Sequence, residues 1–261
     1  MIEQIKKYTK TKWLGTNIIY EELMDSTNTR AKMVGGENVM KQAVVVAKRQ
    51  TAGRGRRGRN WISPEGNCYF SILIKPDIQV ENAPVITLVA ALALTQAIKN
   101  VTGLDTQIKW PNDVVVNGKK LCGILTESSV GNDGLEYVVI GIGINANQKR
   151  FDLELESMAT SIILQTNQMV DCAHMIGEFL NCFENTFEVF LDKEDMTDLM
   201  DRYNSLLVNR NREVRIIDRG ERIGTAIGIN EKGELLVCGA DGDVETVVSG
   251  EVSVRGLYGY V

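Results

Sequence analysis

A short apolar, β-branched run, Ala43-Val44-Val45-Val46-Ala47, leads within two residues into Gln50-Thr51-Ala52-Gly53-Arg54-Gly55-Arg56-Arg57-Gly58-Arg59-Asn60-Trp61. The first segment reads as a buried strand. The second alternates glycine with arginine and closes on tryptophan. Its glycines permit backbone conformations that other residues avoid, and its arginines present planar forks suited to phosphate and carboxylate oxygens. Lys48 and Arg49 add charge, and the next acid is Glu65. A chain of formal net charge −5 thus sets a block of positive charge beside a strand end. Such a loop is expected to close on an anion.

Four readings compete for this loop. Gly53-x-Gly55-x-x-Gly58 matches the dinucleotide fingerprint in form, but that fingerprint must open a helix. Here Asn60-Trp61-Ile62-Ser63-Pro64-Glu65-Gly66-Asn67 follows, which is turn chemistry. A kinase glycine-rich loop needs HRD and DFG segments, and the sequence has neither. An Arg/Gly tract also suits RNA. The plainest alternative is a solvated basic turn.

Composition narrows the classes. At 261 residues the chain can hold one large domain, or a large and a small one. With 44% hydrophobic and 24% charged residues it reads as an ordinary soluble globular protein. Its acidity argues against nucleic acid as the main partner, and so against specific DNA binding. The longest apolar run, Ala83 to Leu94, is too short to span a bilayer. The N-terminal residues lack a signal-peptide core. Five scattered cysteines form no C-x-x-C pair, which fits a reducing cytoplasm. His174 is the only histidine, in a predicted helix, so any metal is expected to be oxygen-bound, as Mg²⁺ is.

Along the chain, Asn17–Leu23 reads as a strand, and Asp25-Ser26-Thr27-Asn28 as the cap of a helix over Thr29–Val34 that Gly35-Gly36 stops. Asn67–Ile74 is a strand, and Pro84 to about Val101 a core helix ended by Gly103. Thr106–Trp110 is a strand. Asn117-Gly118 joins Asp113–Val116 and Lys120–Glu127 as a hairpin. Gly131–Gly134 is a turn, and Tyr137–Ile144 a strand whose glycines predict close backbone approach. Residues 146–170 read as loop and short helix. Asp171–Leu191 is an amphipathic helix with Met175, Phe179, Phe183, Phe187 and Phe190 along one core-facing side, and Asp195–Leu207 continues as helix. From Arg212 short strands follow (Val214–Ile217, Arg222–Ile229, Leu235–Cys238, Val244–Val248 and Val252–Leu257), as in a small β barrel. Division into residues 1–211 and 212–261 is expected.

The glycine–arginine loop is one of a set. Asp25-Ser26-Thr27-Asn28 precedes it. Lys109-Trp110-Pro111-Asn112-Asp113, Gly118-Lys119-Lys120-Leu121-Cys122-Gly123-Ile124-Leu125 and Gly141-Ile142-Gly143-Ile144-Asn145 follow. In this order and spacing the set resembles the biotin–protein ligases, over nearly the whole chain. The resemblance implies an α/β (α+β) fold: a mixed sheet with flanking helices, and an SH3-like C-terminal barrel. It implies ATP-dependent attachment of biotin to a lysine of a biotin carboxyl carrier protein. Since the Asp25–Asn28 motif begins early, no helix-turn-helix precedes it in this sequence, and a monofunctional ligase is the expectation. A homodimer is expected by analogy only.

The residues themselves suit adenylation better than hydride transfer or covalent nucleophilic catalysis. A carboxylate attacking the α-phosphorus of ATP joins two anions, so charge neutralisation and alignment carry the rate. The resemblance then distributes the roles. Ser26, Thr27, Asn28 and Gln50 match the biotin-binding segment, and Arg54, Gly55 and Arg56 the loop that folds over biotin and its adenylate. Gly123 and Leu125 would line the biotin channel. Trp61 would stack on adenine, with Arg57, Arg59, Asn112 and Asn145 on the nucleotide side. Lys109 would meet phosphate, and Lys120 the biotin carboxylate and bridging phosphate. Arg54, Lys109, Lys120 and Asp113 are the catalytic candidates, with Asp113 as the Mg²⁺ or amine-orienting carboxylate. For Trp110, core packing competes with any site role. A lipoate–protein ligase is the nearest enzymatic alternative, and a non-catalytic nucleic-acid-binding module the alternative from another class.

Overall fold

The apolar runs of the first half of the chain assemble into one mixed sheet in the computed structural model, which describes residues 1–37, 39–217, 220–249, 253–256 and 260–261. Its strands are β1 (Ile18–Met24), β2 (Gln42–Gln50), β3 (Cys68–Ile74), β4 (Gln107–Lys109), β5 (Asp113–Val116), β6 (Lys119–Gly131) and β7 (Gly134–Ile144). They lie in the order β1-β2-β3-β7-β6-β5-β4. β1 and β2 are parallel and the other neighbours antiparallel. The helices are α1 (Ile2–Tyr8), α2 (Thr27–Gly36), α3 (Ile86–Thr102), α4 (Leu153–Glu156), α5 (Ile162–Thr166), α6 (Cys172–Leu191) and α7 (Met200–Leu206).

The continuous apolar run in β2 is explained by burial on both faces. Val44 and Val46 join the large core under α3 and α6, while Ala43, Val45 and Ala47 pack with Ala31 and Val34 of α2. The Phe stripe of α6 is core, as expected. Phe179, Phe183, Phe187 and Phe190 stack successively at 5.4–5.8 Å between centroids, and Phe70 of β3 meets Phe179 edge-on at 5.3 Å. Trp110 is also core. Its ring is buried and its Nε1 donates to Gly233 O at 3.0 Å. His174 stacks on Tyr8 at 4.3 Å, a structural contact.

Three expectations change. Gly35 and Gly36 do not stop α2, which runs through both. A Cβ on Gly35 would stand 3.0 Å from Leu73 and Tyr137, so the glycine lets the helix lie close on the sheet. The helix expected from Asp195 starts only at Met200. Asp195 Oδ1 accepts from Thr197 N at 2.8 Å, and Met196 N donates to Glu231 O at 2.7 Å, so local turn bonds and a distant carbonyl take the amides a helix would need. The apolar helix is longer than its sequence run: a turn from Val80 joins α3, giving 23 residues, long enough to cross a membrane. Ile86–Ile98 is nevertheless almost wholly buried inside the protein, so this is a core helix.

The second sheet contains β8 (Arg212–Ile217), β9 (Glu221–Ile229), β10 (Leu235–Cys238), β11 (Val244–Val247) and β12 (Ser253–Gly256), all antiparallel, in the order β11-β10-β9-β8-β12. Among the described residues β11 and β12 do not pair, so the five strands form an open sheet without barrel closure. Val252 and Leu257, the expected ends of the last strand, lie outside the described residues. The apolar faces of this sheet, through Val214, Ile216, Ala226 and Val237, continue the core of the first.

Candidate active site

The N-terminus of α2, the end of β2, the glycine–arginine loop, the first half of β6 and the end of β7 surround one cleft of about 460 Å³, its open mouth included. Ser26, Thr27, Asn28, Gln50, Arg54, Gly55, Arg56, Lys120, Gly123 and Leu125 all line it, with Trp61, Asn112, Gly141 and Gly143. Residues as distant in sequence as Ser26 and Gly143 therefore meet here, because α2 packs across β2, β3 and β7.

Ser26 occupies the cap position of α2 without capping by its side chain. Instead, the Thr27 amide donates to Gln50 Oε1 at 2.8 Å, with Thr27 Oγ1 3.2 Å from the same oxygen. Ser71 Oγ on β3 lies 2.7 Å from Thr27 Oγ1 and 2.6 Å from Asn28 Oδ1. Asn28 Nδ2 donates to Leu125 O at 3.1 Å and Glu127 Oε2 at 2.8 Å. Glu127 in turn pairs with Lys32 at 2.7 Å and stands 3.8 Å from Arg54, whose Nη2 donates to Thr29 Oγ1 at 3.0 Å. Burial alone would raise the Glu127 carboxyl, but the Lys32 ammonium and the Asn28 amide outweigh it and hold the group below its ordinary value.

The glycine–arginine loop closes on itself as a tight turn. Arg54 and Asn60 form an antiparallel bridge, Gly55 N donates to Arg59 O at 2.7 Å, and Trp61 N donates to Gly53 O at 2.9 Å. Arg56 donates to Asn112 Oδ1 at 3.1 Å and to Ser249 O, which ties the loop to the chain just beyond β11. Trp61 folds inward onto the strand glycines. A Cβ built on Gly143 would stand 2.5 Å from the indole, and one on Gly123 2.9 Å from it. Asn28 lies as closely over Gly141. The close approach expected at these glycines thus comes from side chains of the same chain. The indole Nε1 is buried there without a hydrogen-bond partner among the described residues.

The cationic end of the site is built by the β5–β6 hairpin. Asn117 and Gly118 both adopt left-handed backbone, φ 48° and 74°, as a two-residue hairpin turn requires. The register, with a bulge after Val114, brings Lys120 Nζ within 2.6 Å of Asp113 Oδ1. Lys109, at the end of β4, is buried beside this pair. Burial lowers its ammonium to about 8, opposed by the charge of Asp113 and aided by Lys120 and Arg255. Lys109 Nζ donates to Tyr260 O and lies 3.6 Å from the centre of the Tyr260 ring, whose hydroxyl donates to Asp113 Oδ2.

Four of the nucleotide-side candidates stay out of the cleft lining: Arg57, Arg59, Lys109 and Asn145. Arg57 and Arg59 are exposed, and Asn145 is held by Leu121 and Thr160 through its amide and side chain. Glu127, Ser71 and Tyr260 were not foreseen. Glu127 had a signal, since it continues the alternation of Gly123 and Leu125 along β6. Ser71 and Tyr260 had none. Among the described residues no three His, Cys, Asp or Glu side chains converge, so a cation fits only in the way Mg²⁺ commonly binds, through one carboxylate and the phosphates it accompanies.

Residues 20–145 match the biotin/lipoate A/B protein ligase family, and residues 211–255 match the biotin protein ligase C-terminal domain. The bifunctional ligase/repressor BirA of Bacillus spizizenii is 36% identical over 256 residues, covering 96% of this chain and 78% of that one. This chain belongs to the biotin protein ligase family. The biotin protein ligase of Aquifex aeolicus, solved in complex with biotin and ATP, superposes with a TM-score of 0.80 at 30% identity, over 92% of this chain and 99% of that one. The biotin protein ligase of Leishmania major, solved with biotinyl-5-AMP, gives 0.60 at 26% identity, over 89% and 99%. The ligase family therefore shares both the cleft-bearing sheet and the strands that follow it.

Proposed function

We propose that this protein is a biotin–protein ligase that makes biotinyl-adenylate from biotin and ATP, and then passes biotin to a lysine of a biotin carboxyl carrier protein. The observation that carries this reading is the single cleft in which hydroxyls and amides (Ser26, Thr27, Asn28, Gln50) meet three cations (Arg54, Arg56, Lys120). The polar groups suit a ureido ring, and the cations suit a carboxylate and phosphates. The biotin carboxylate would attack the α-phosphorus and pyrophosphate would leave. Lys120, held by Asp113, would neutralise the reacting oxygens, and Lys109 would receive phosphate. Mg²⁺ arriving with ATP would neutralise phosphate charge, with Asp113 as its one protein carboxylate. In the second step a neutral carrier amine attacks the acyl carbonyl and AMP leaves, with Asp113 as the nearest carboxylate to orient it. Trp61 would leave the strand glycines to stack on adenine.

The same reading divides the chain at residues 211/212, locates the enzyme in the cytoplasm, and allows a homodimer. The test is exchange of radiolabelled pyrophosphate into ATP, with biotin or lipoate supplied. Exchange that requires biotin and ignores lipoate supports the reading. Exchange driven by lipoate, or none with either acid, overturns it.

A further inference from the structure

Tyr260 occupies the place where an anion would be expected. Around Lys109 stand Lys120, Arg59 and Arg255, with Asp113 the opposing charge. Such a cluster attracts anions. Yet Lys109 is only 6% exposed, and its ammonium is met by a backbone carbonyl and an aromatic face, both from Tyr260. These are neutral acceptors. A phosphate oxygen would have to come within about 2.7–2.9 Å of Nζ to bond it, and the Tyr260 ring stands 3.6 Å away. The Tyr260 hydroxyl also binds Asp113 Oδ2, on the far side of the carboxylate from Lys120. The segment is held from both sheets: Val261 lies against Gly256 of β12, and its Cγ2 is 3.6 Å from where a Cβ on Gly118 would be, at the tip of the β5–β6 hairpin.

We propose that Tyr260 is a place-holder for the phosphates of ATP, covering Lys109 and Asp113 and yielding to the nucleotide. This rests on the ligase reading of the cleft. The polyanion replaces a carbonyl dipole and a ring quadrupole at Lys109, so exchange runs in its favour. Tyr260, beyond the last strand of the second sheet, thereby sets the affinity for ATP without touching the biotin-lined part of the cleft.

Calorimetry with a non-hydrolysable ATP analogue, and separately with biotin, tests this on the full chain. Tyr260→Ala removes the ring and hydroxyl. It should bind the analogue roughly two- to thirtyfold more tightly, the range a cation–π contact spans from exposed to desolvated settings, with biotin affinity unchanged. Unchanged or weaker analogue binding, with biotin affinity retained, overturns the proposal. If the alanine variant does not fold, Tyr260→Phe decides: it keeps the ring and loses only the bond to Asp113, so a smaller gain of the same sign is expected, and no gain overturns the idea. In the wild type, the Val261 amide should exchange hydrogen faster when the analogue is bound, and slower exchange would make Tyr260 a fixed wall instead. A wild-type chain that binds no ATP analogue overturns the ligase reading itself, whereas binding indifferent to Tyr260 overturns only the place-holder.

Discussion

Asp113 and Lys120 face each other at 2.6 Å across a hairpin whose turn residues, Asn117 and Gly118, are both left-handed. Lys120 lines the cleft, whereas Lys109 lies outside its lining. The two lysines, to which the resemblance gives different partners, thus stand at different places. Lys120→Ala should slow adenylate formation roughly a hundred- to thousandfold, the effect of losing one well-placed donor to a developing charge, and should weaken biotin binding too. Lys109→Ala should slow the same step and leave biotin binding without ATP nearly unchanged. Single-turnover adenylation and biotin calorimetry supply both numbers. If Lys109→Ala abolishes biotin binding and Lys120→Ala spares it, the assignments are reversed.

Trp61 lies directly on Gly143 in β7, where a side chain has no room. Gly143→Ala should expel the indole. Overpacking of this kind costs about 1–3 kcal/mol, so the fold should survive while tryptophan emission shifts to the red. If Trp61 keeps its buried emission in Gly143→Ala, the strand yields instead of the ring.

Most of the frame could be read from pattern because it obeys local rules. The Asn117-Gly118 turn, the continuous apolar run of β2 and the Phe stripe of α6 each carry their own local signal, and each stands where expected. The site motifs were legible as residue types, and twelve of the expected site residues converge on one cleft. What could not be read is what only tertiary placement creates. Gly35 looks like a helix stop until Leu73 and Tyr137 stand above it. Asn145 gives no local sign that Leu121 and Thr160 hold its amide and side chain. Tyr260 lies 147 residues from Asp113 and belongs to no local pattern.

Glu127 ties together Asn28, Lys32 and Arg54. Removing it leaves two cations and a carboxamide without their shared acceptor. Glu127→Ala should weaken biotin binding roughly ten- to hundredfold, the about 1.5–3 kcal/mol that a hydrogen bond to a charged group contributes. It should also speed tryptic cleavage after Arg54, because the loop loses its hold on α2. Cleavage at the wild-type rate would mean that the Arg54–Thr29 bond alone fixes the loop.

The pH dependence follows from Lys109. Its ammonium is lowered to about 8 by burial, against a usual value of 10.5. Between these values the unfolded chain binds a proton that the folded chain does not, so this residue makes stability rise as pH increases from about 8 towards 10.5, and adds nothing to the slope below 8. Affinity for ATP should move the opposite way. A phosphate contact needs the charged amine, and the charged fraction falls about tenfold for each pH unit above its pKa. ATP affinity should therefore hold steady up to pH 8 and then weaken with that slope, and binding above pH 8 should take up a proton. Titrations in two buffers of different ionisation enthalpy measure the uptake directly. Lys109→Met should remove both the proton uptake and the break in the profile. A break at the same pH in that variant would assign it to another group.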